Sequence, residues 1–355
     1  MSIVPLLELH RSAGARLTAD DSSAQLLTYG DVPAEYSAGR KSALLLDESD
    51  AEAVLVDGSD AESFLHRLLA NRVKGLESGQ GNANLLLSAK GKILHAIELQ
   101  RTNTGFRLGA KPGDAAGLLA ALDMYLFSED LTLTDASADS APLRLLGPAA
   151  AQLIEQVLGQ APPSGDRRHL ELTHQGRTLR LAQSPLGELP GWTLDAGPAG
   201  APELWQALTT AGAQPGGLVA FDSLRVEACV AAWAVDVDDN VYPQEARWEQ
   251  AFSLDKGCYI GQEVVAKIDT YGGLNKRLMG LSVEGDDAVP PGTRLYREDA
   301  GEWRDLGVVT SWAYSFALDG GMALAYIKRK HQEPGTVFRL GDGPLTATLV
   351  ETPLA

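Results

Sequence analysis

Cysteine is almost absent from this chain, with two residues in 355, at positions 229 and 258. Two thiols so far apart cannot form the disulfide framework of a small secreted domain, nor a zinc site by themselves. A reducing compartment is the simplest setting, and a cytoplasmic protein is expected. No stretch approaches about 18 uncharged apolar residues, so no membrane span is expected. The opening MSIVPLLELHRSAG lacks a basic head, an apolar run and a small-residue cleavage site, so no signal peptide is expected. Positive charge is also scarce. Lys and Arg number 30 against 47 Asp and Glu, for a net charge of −17. A broad nucleic-acid surface needs a basic face, and the densest basic cluster is only Lys328, Arg329 and Lys330. Direct nucleic-acid binding is therefore not expected.

What is present is ordinary for a globular protein: 45% hydrophobic and 22% charged residues. The length is enough for two or three domains. Period reading gives strands at 43–47, 53–57, 85–87, 93–99 and 106–108. AESFLHRLLANR brings Phe64, Leu65, Leu68 and Leu69 to helical spacing, with Ser59 or Asp60 as a candidate cap. Further helices are expected at 114–126, 147–158 and 202–211, and strands at 130–134, 143–146, 169–173 and 178–182. Pro148 is expected in the first turn of its helix. From Lys276 onward only short strands split by Gly, Pro and Asp turns appear, as in a small all-β barrel or sandwich. The boundary is placed in 269–273. The expected division is 1–270, mixed α and β, and 275–355, all β.

The most unusual stretch is KGCYIGQE at 256–263. The bland reading of Cys258 is a small buried hydrophobe, as most free cysteines are. Its surroundings favour a working thiol. GQEVVAKID reads as a helix, so the cysteine stands just before a positive dipole end, and Lys256 adds a cation; both favour thiolate. There is no Cys-x-x-Cys partner, and the six histidines are scattered. Cys229, in VEACVAAWAV, reads as core. Asp236, Asp238 and Asp239 read as an exposed loop, with only a weak resemblance to a divalent-ion site. GLESGQGN has neither Walker nor dinucleotide spacing.

KGCYIGQE resembles the signature of YgfZ-type folate-binding proteins, in the residues Lys256, Gly257, Cys258, Tyr259, Gly261, Gln262 and Glu263. That group is similar to the T-protein of the glycine cleavage system, the tetrahydrofolate-dependent aminomethyltransferase. The likeness runs nearly end to end. It includes YGDVPAEYSAGRKSALLLDES at 29–49, VDGSDAESFLHRLLANRVKGLESGQ at 56–80 and FDSLRVEA at 221–228. It continues through NKRLMGL at 275–281 and GMALAYI at 321–327. The resemblance implies an α+β, T-protein-like three-domain cloverleaf. Two interwoven α+β domains and a C-terminal β-barrel domain would surround a central hole for folate.

The resemblance also implies site residues. Glu227 matches the pterin-binding glutamate of T-protein, where one carboxylate accepts two N–H donors from the ring edge. Arg225 would orient it or hold the folate tail, and the two point the same way if the segment is extended. Lys276 and Arg277 would meet the anionic tail. T-protein carries paired aspartates where this chain has His95 and Ala96, and a tyrosine at a position matching Ala83. Alanine cannot stabilise charge developing at the folate nitrogen, which disfavours aminomethyl transfer. The resemblance thus implies a folate-binding accessory protein in iron–sulfur cluster assembly or repair, with a functional thiol at Cys258. Its cofactor would be tetrahydrofolate or another reduced folate. Its partners would be iron–sulfur proteins or assembly factors. The alternative is a tetrahydrofolate-dependent aminomethyltransferase or another one-carbon transferase.

Overall fold

The computed structural model describes residues 6–18, 24–299 and 301–354. Two sheets and a closed barrel carry the fold, with a two-stranded ribbon of Arg16–Leu17 and Leu26–Thr28 beside them. The first sheet has six strands. It runs His169–His174, Arg177–Gln183, Gly191–Asp195, Pro142–Leu146, Leu44–Asp47 and Gln214–Pro215 in spatial order. The second has five, in the order Gly81–Leu87, Ile93–Arg101, Gly105–Ala110, Glu52–Asp57 and Thr132–Asp135. The chain enters the first sheet at Leu44, builds the whole second sheet, and returns at Pro142. The two α+β layers are therefore interwoven in the chain, while the second sheet packs its apolar face on the helices Ala61–Leu68 and Ala115–Asp123 from its own excursion.

Leu44, Leu45 and Leu46 are all buried. A run without alternation marks a strand covered on both faces. Phe64, Leu65 and Leu68 of the helix Ala61–Leu68 are buried together with Phe106 and Leu108 of the second sheet. Asp60 precedes this helix, but its side chain makes no capping bond. Pro148 lies ahead of the helix Ala150–Leu158, so it is not in the first turn. That helix ends on Gly159 at φ 70, the left-handed closure glycine accepts without strain.

The helix Gln262–Tyr271 runs through the expected boundary and stops at Gly272, φ 64. The barrel follows, with Lys276–Val283, Gly320–Lys328, Glu302–Ser315, Arg294–Asp299, Val337–Leu340 and Thr346–Leu349 in spatial order. Closure removes the free edges that would otherwise pair with other chains.

Period reading missed the helices Leu7–Ser12, Val32–Lys41 and Leu218–Glu227, the strand Gly191–Asp195 and the short strands Arg16–Leu17, Leu26–Thr28 and Gln214–Pro215. The helix Leu218–Glu227 buries polar Ser223, Arg225 and Glu227 beside apolar Ala220, Leu224 and Val226, so no apolar stripe marks it. Its helical backbone corrects the extended geometry expected for Arg225 and Glu227.

Candidate functional site

A cavity of ≈ 300 Å³ lies between the two sheets. Its walls come from the strands at 81–87, 93–101 and 105–110, the strands at 142–146, 177–183 and 191–195, the helix Leu218–Glu227 and the loop beyond it. That volume is at the low end for small-molecule sites. A second cavity of ≈ 210 Å³ shares Glu48, Ala51, Lys111 and Phe221 with it, so the two adjoin.

Strand alternation decides which residues face this space. Leu85 pairs with Ala96 and Ala83 with Glu98 across neighbouring antiparallel strands. Ala83, Leu85, Ala96 and Glu98 therefore share a face, and all four line the cavity. His95 falls on the other face, where Nδ1 meets Asp114 Oδ1 at 2.8 Å. Of the two positions that carry aspartates in T-protein by the resemblance, one faces the cavity as alanine. The other is turned away in an ion-pair geometry.

Two indoles, Trp233 and Trp248, also line the cavity, together with Phe221. So do six cationic residues, Arg107, Lys111, Arg144, Arg167, Arg180 and Arg225, against four carboxylates, Glu48, Glu52, Glu98 and Asp195. Asp222 and Asp236 pair with Arg225 and Glu171 pairs with Arg180 from outside the lining, so the wall offers guanidinium donors to an anionic ligand without a net positive charge. Arg144 donates from Nε to Glu48 Oε1 at 2.8 Å. Burial pushes the Glu48 carboxyl up, but Arg144 and Lys111 hold it below the usual range. Arg107 donates to Ser140 Oγ at 2.7 Å and Asp195 Oδ2 at 3.2 Å. Arg167 meets Glu98. The Gln183 side-chain oxygen, also in the cavity wall, is buried with no partner.

None of the expected folate residues except Arg225 borders the cavity. Arg225 donates from Nε to Asp222 at 2.9 Å, from Nη1 to Asp236 Oδ2 at 2.6 Å and Val230 O at 3.0 Å, and from Nη2 to Ser311 at 3.0 Å. Glu227 is 1% exposed. It accepts from the Tyr36 hydroxyl at 2.6 Å, the Ser315 hydroxyl at 2.7 Å and the Ala317 N–H at 3.1 Å. Burial and that carboxylate raise the Tyr36 phenol above its ordinary range. Both residues thus join the helix to the barrel. Lys276 lies over the Tyr326 ring at 4.6 Å, and Arg277 donates to Glu249 at 2.6 Å. Asp236 is 3% exposed, which corrects the exposed-loop reading for that residue, while Asp238 and Asp239 are exposed as expected. Among the described residues, no group of His, Cys, Asp and Glu is arranged to hold a metal ion.

The signature loop lies elsewhere, against the end of the helix Ala61–Leu68. Lys256 is buried and its ammonium donates to the carbonyls of His66 and Leu69. His66 Nδ1 accepts the N–H groups of Val73 and Lys74, so Nε2 carries the proton and donates to Lys256 O at 3.0 Å. Gly261 caps the helix Gln262–Tyr271 at φ 81, and a Cβ there would stand 2.5 Å from Ser88 O. Tyr259 is buried, and burial pushes its phenol up to about 12. Cys258 is exposed, and Cys229 is buried. The sequence context placed Lys256 beside the thiol, but its charge is committed to the helix carbonyls.

Sequence reasoning missed Trp233, Trp248, Arg107 and Arg180. Trp233 sits in an apolar run that reads as core, and the two arginines lie in local antiparallel pairs, where nothing in the sequence shows that their strands face one shared cavity.

The chain belongs to the glycine cleavage T-protein family. The GCVT N-terminal domain matches residues 6–256, and the glycine cleavage T-protein C-terminal barrel domain matches residues 276–355. An aminomethyltransferase of Rubrobacter xylanophilus is 32% identical, over 98% of this chain and 93% of its own length. One of Thermus thermophilus is 31% identical, over 94% and 93%. The crystal structure of glycine cleavage system aminomethyltransferase T from Bartonella henselae superposes with a TM-score of 0.86. That match has 25% identity and covers 99% of this chain and 97% of that one. The α+β T-protein-like fold with a closed six-stranded barrel is thus shared along the whole chain.

Proposed function

We propose that the central cavity binds a reduced folate, and that the protein is a folate-binding accessory factor in iron–sulfur cluster assembly or repair. The observation that carries the folate step is the cavity wall: two indoles and six cationic side chains in an acidic chain. Trp233 and Trp248 would offer flat apolar faces to a pterin. Arg167, Arg180 and Lys111 would balance the carboxylates of the glutamate tail. Arg225 borders the same space, while Glu227 stands behind the wall. When bound, the folate would supply a carrier for one-carbon units.

The accessory role rests on the KGCYIGQE resemblance to YgfZ-type proteins and on the exposure of Cys258. A second reading, tetrahydrofolate-dependent aminomethyl transfer, is favoured by the names of the relatives over the accessory role. Against it stands Ala96, which puts a methyl group on the cavity face where a carboxylate would serve the reaction.

Calorimetric titration with 5-formyltetrahydrofolate tests the shared step, and micromolar binding is expected. Two assays then separate the readings. Tetrahydrofolate-dependent ammonia release from an aminomethylated lipoyl carrier would establish transfer and overturn the accessory reading. Loss of iron–sulfur enzyme activity in cells carrying Cys258→Ala, with folate binding intact, is the outcome expected of an accessory factor. Full rescue by that variant would remove the thiol from the function.

A further inference from the structure

Among the described residues no barrel residue lines the cavity, yet the barrel reaches its wall in two ways, directly where Arg225 Nη2 donates to Ser311 and through the carboxylate of Asp236. Asp236 Oδ2 accepts from Arg225 Nη1 at 2.6 Å and from the Ala232 N–H at 2.9 Å. Its Oδ1 accepts from the hydroxyls of Thr310 at 2.5 Å and Ser311 at 2.6 Å. Its side chain is wholly buried. Ala232 and Arg225 border the cavity, and Thr310 and Ser311 belong to the barrel strand Glu302–Ser315.

Consecutive residues of a regular strand point to opposite faces, so Thr310 and Ser311 could not both reach one oxygen. The strand solves this with a register shift between Val309 and Ser311. A bulge of this kind re-aims a side chain at the cost of one ladder position. The cavity loop is itself held in an unfavourable backbone: Ala234, next to Trp233, has φ 63 without being glycine. Residues in that region persist where surrounding contacts over-determine them. The four bonds of Asp236, two residues further on, are such contacts.

We propose that Asp236 is a positioning residue, through which the bulged barrel strand sets where Ala231, Ala232 and Trp233 stand in the ligand cavity. The barrel therefore tunes ligand affinity without touching the ligand. This deepens the folate reading and rests on it for the identity of the ligand.

The test is Ser311→Ala, combined with Thr310→Val, in the full chain. Neither residue lines the cavity, and each replacement keeps the approximate side-chain volume. Asp236→Asn is the harsher companion. Two readouts are taken on variants whose thermal melts remain cooperative. The first is affinity for 5-formyltetrahydrofolate, expected to fall about tenfold when hydrogen bonds to a buried charge are lost and the loop shifts. The second is acrylamide quenching of Trp233, isolated by subtracting Trp233→Phe spectra, expected to rise without any ligand present. Unchanged affinity and unchanged quenching in a folded double variant overturn the proposal. If the wild type binds no folate, the folate reading fails by itself, and the quenching result alone still decides whether the barrel positions Trp233.

Discussion

The ammonium of Lys256 donates to the carbonyl of Leu69 at 2.6 Å, closing the end of a helix that lies almost two hundred residues earlier in the chain. Unsatisfied carbonyls at a helix end accept such a cation readily. Burial, with the charge of Arg72 added, holds the Lys256 pKa down at about 8. An unfolded lysine titrates near 10.4. Between those values the unfolded chain binds more protons than the folded one, so this residue makes stability rise with pH from about 8 to about 10. The gain should be on the order of 2 kcal/mol. Urea unfolding of wild type and Lys256→Met across that range checks it. The wild-type curve is expected to climb relative to the variant, and parallel curves would show that burial does not destabilise the charge.

Glu227 holds the helix Leu218–Glu227 to the helix Val32–Lys41 through Tyr36 and to the barrel through Ser315 and the Ala317 N–H. Replacing it with Gln puts an amide NH₂ among groups that donate. Stability should drop by about 2 kcal/mol, because hydrogen bonds to a buried charge are lost and a donor is left facing donors. Folate affinity of the folded variant should stay within about threefold, since the carboxylate does not line the cavity. Denaturant titration and calorimetry on the same preparation separate the two effects. A large loss of affinity without a loss of stability would return Glu227 to the ligand site.

Trp233→Ala and Trp248→Ala remove the flat faces of the cavity. Stacking of a heterocycle on an aromatic ring contributes about 1–3 kcal/mol, so each variant should bind 5-formyltetrahydrofolate at least about fivefold more weakly. Isothermal titration of each single variant measures this. Equal affinity in both would move the pterin out of this cavity.

The two cysteines should differ in access. Cys258 is exposed and Cys229 is buried beside the Arg247 guanidinium, 3.3 Å from its sulfur. Under native conditions iodoacetamide should modify Cys258 alone, and Cys229 only after unfolding, as peptide mass spectrometry would show. Cys258→Ala should change stability by less than about 0.5 kcal/mol, the usual range for an exposed site.

The change of texture at Lys276 was readable in the sequence, because short strands cut by turn residues cannot hide a helical period. So were the helices with clear apolar stripes, such as Ala61–Leu68, and the helix Gln262–Tyr271 after the signature. The helix Leu218–Glu227 was not readable, since its polar residues are buried by the barrel and a local pattern carries no trace of a partner ninety residues away.

The sequence by itself determined the composition of the layers and the identity of the signature loop, because these depend on neighbours in the chain. Only the tertiary structure decided that Ala83 and Ala96 share a face with the cavity while His95 turns to Asp114. Only it drew Arg107, Arg180, Trp233 and Trp248 into one wall and put Glu227 behind it. The physical reason is that a cavity between two sheets is made by strand register and crossover, and both are fixed by burial of residues far apart in sequence.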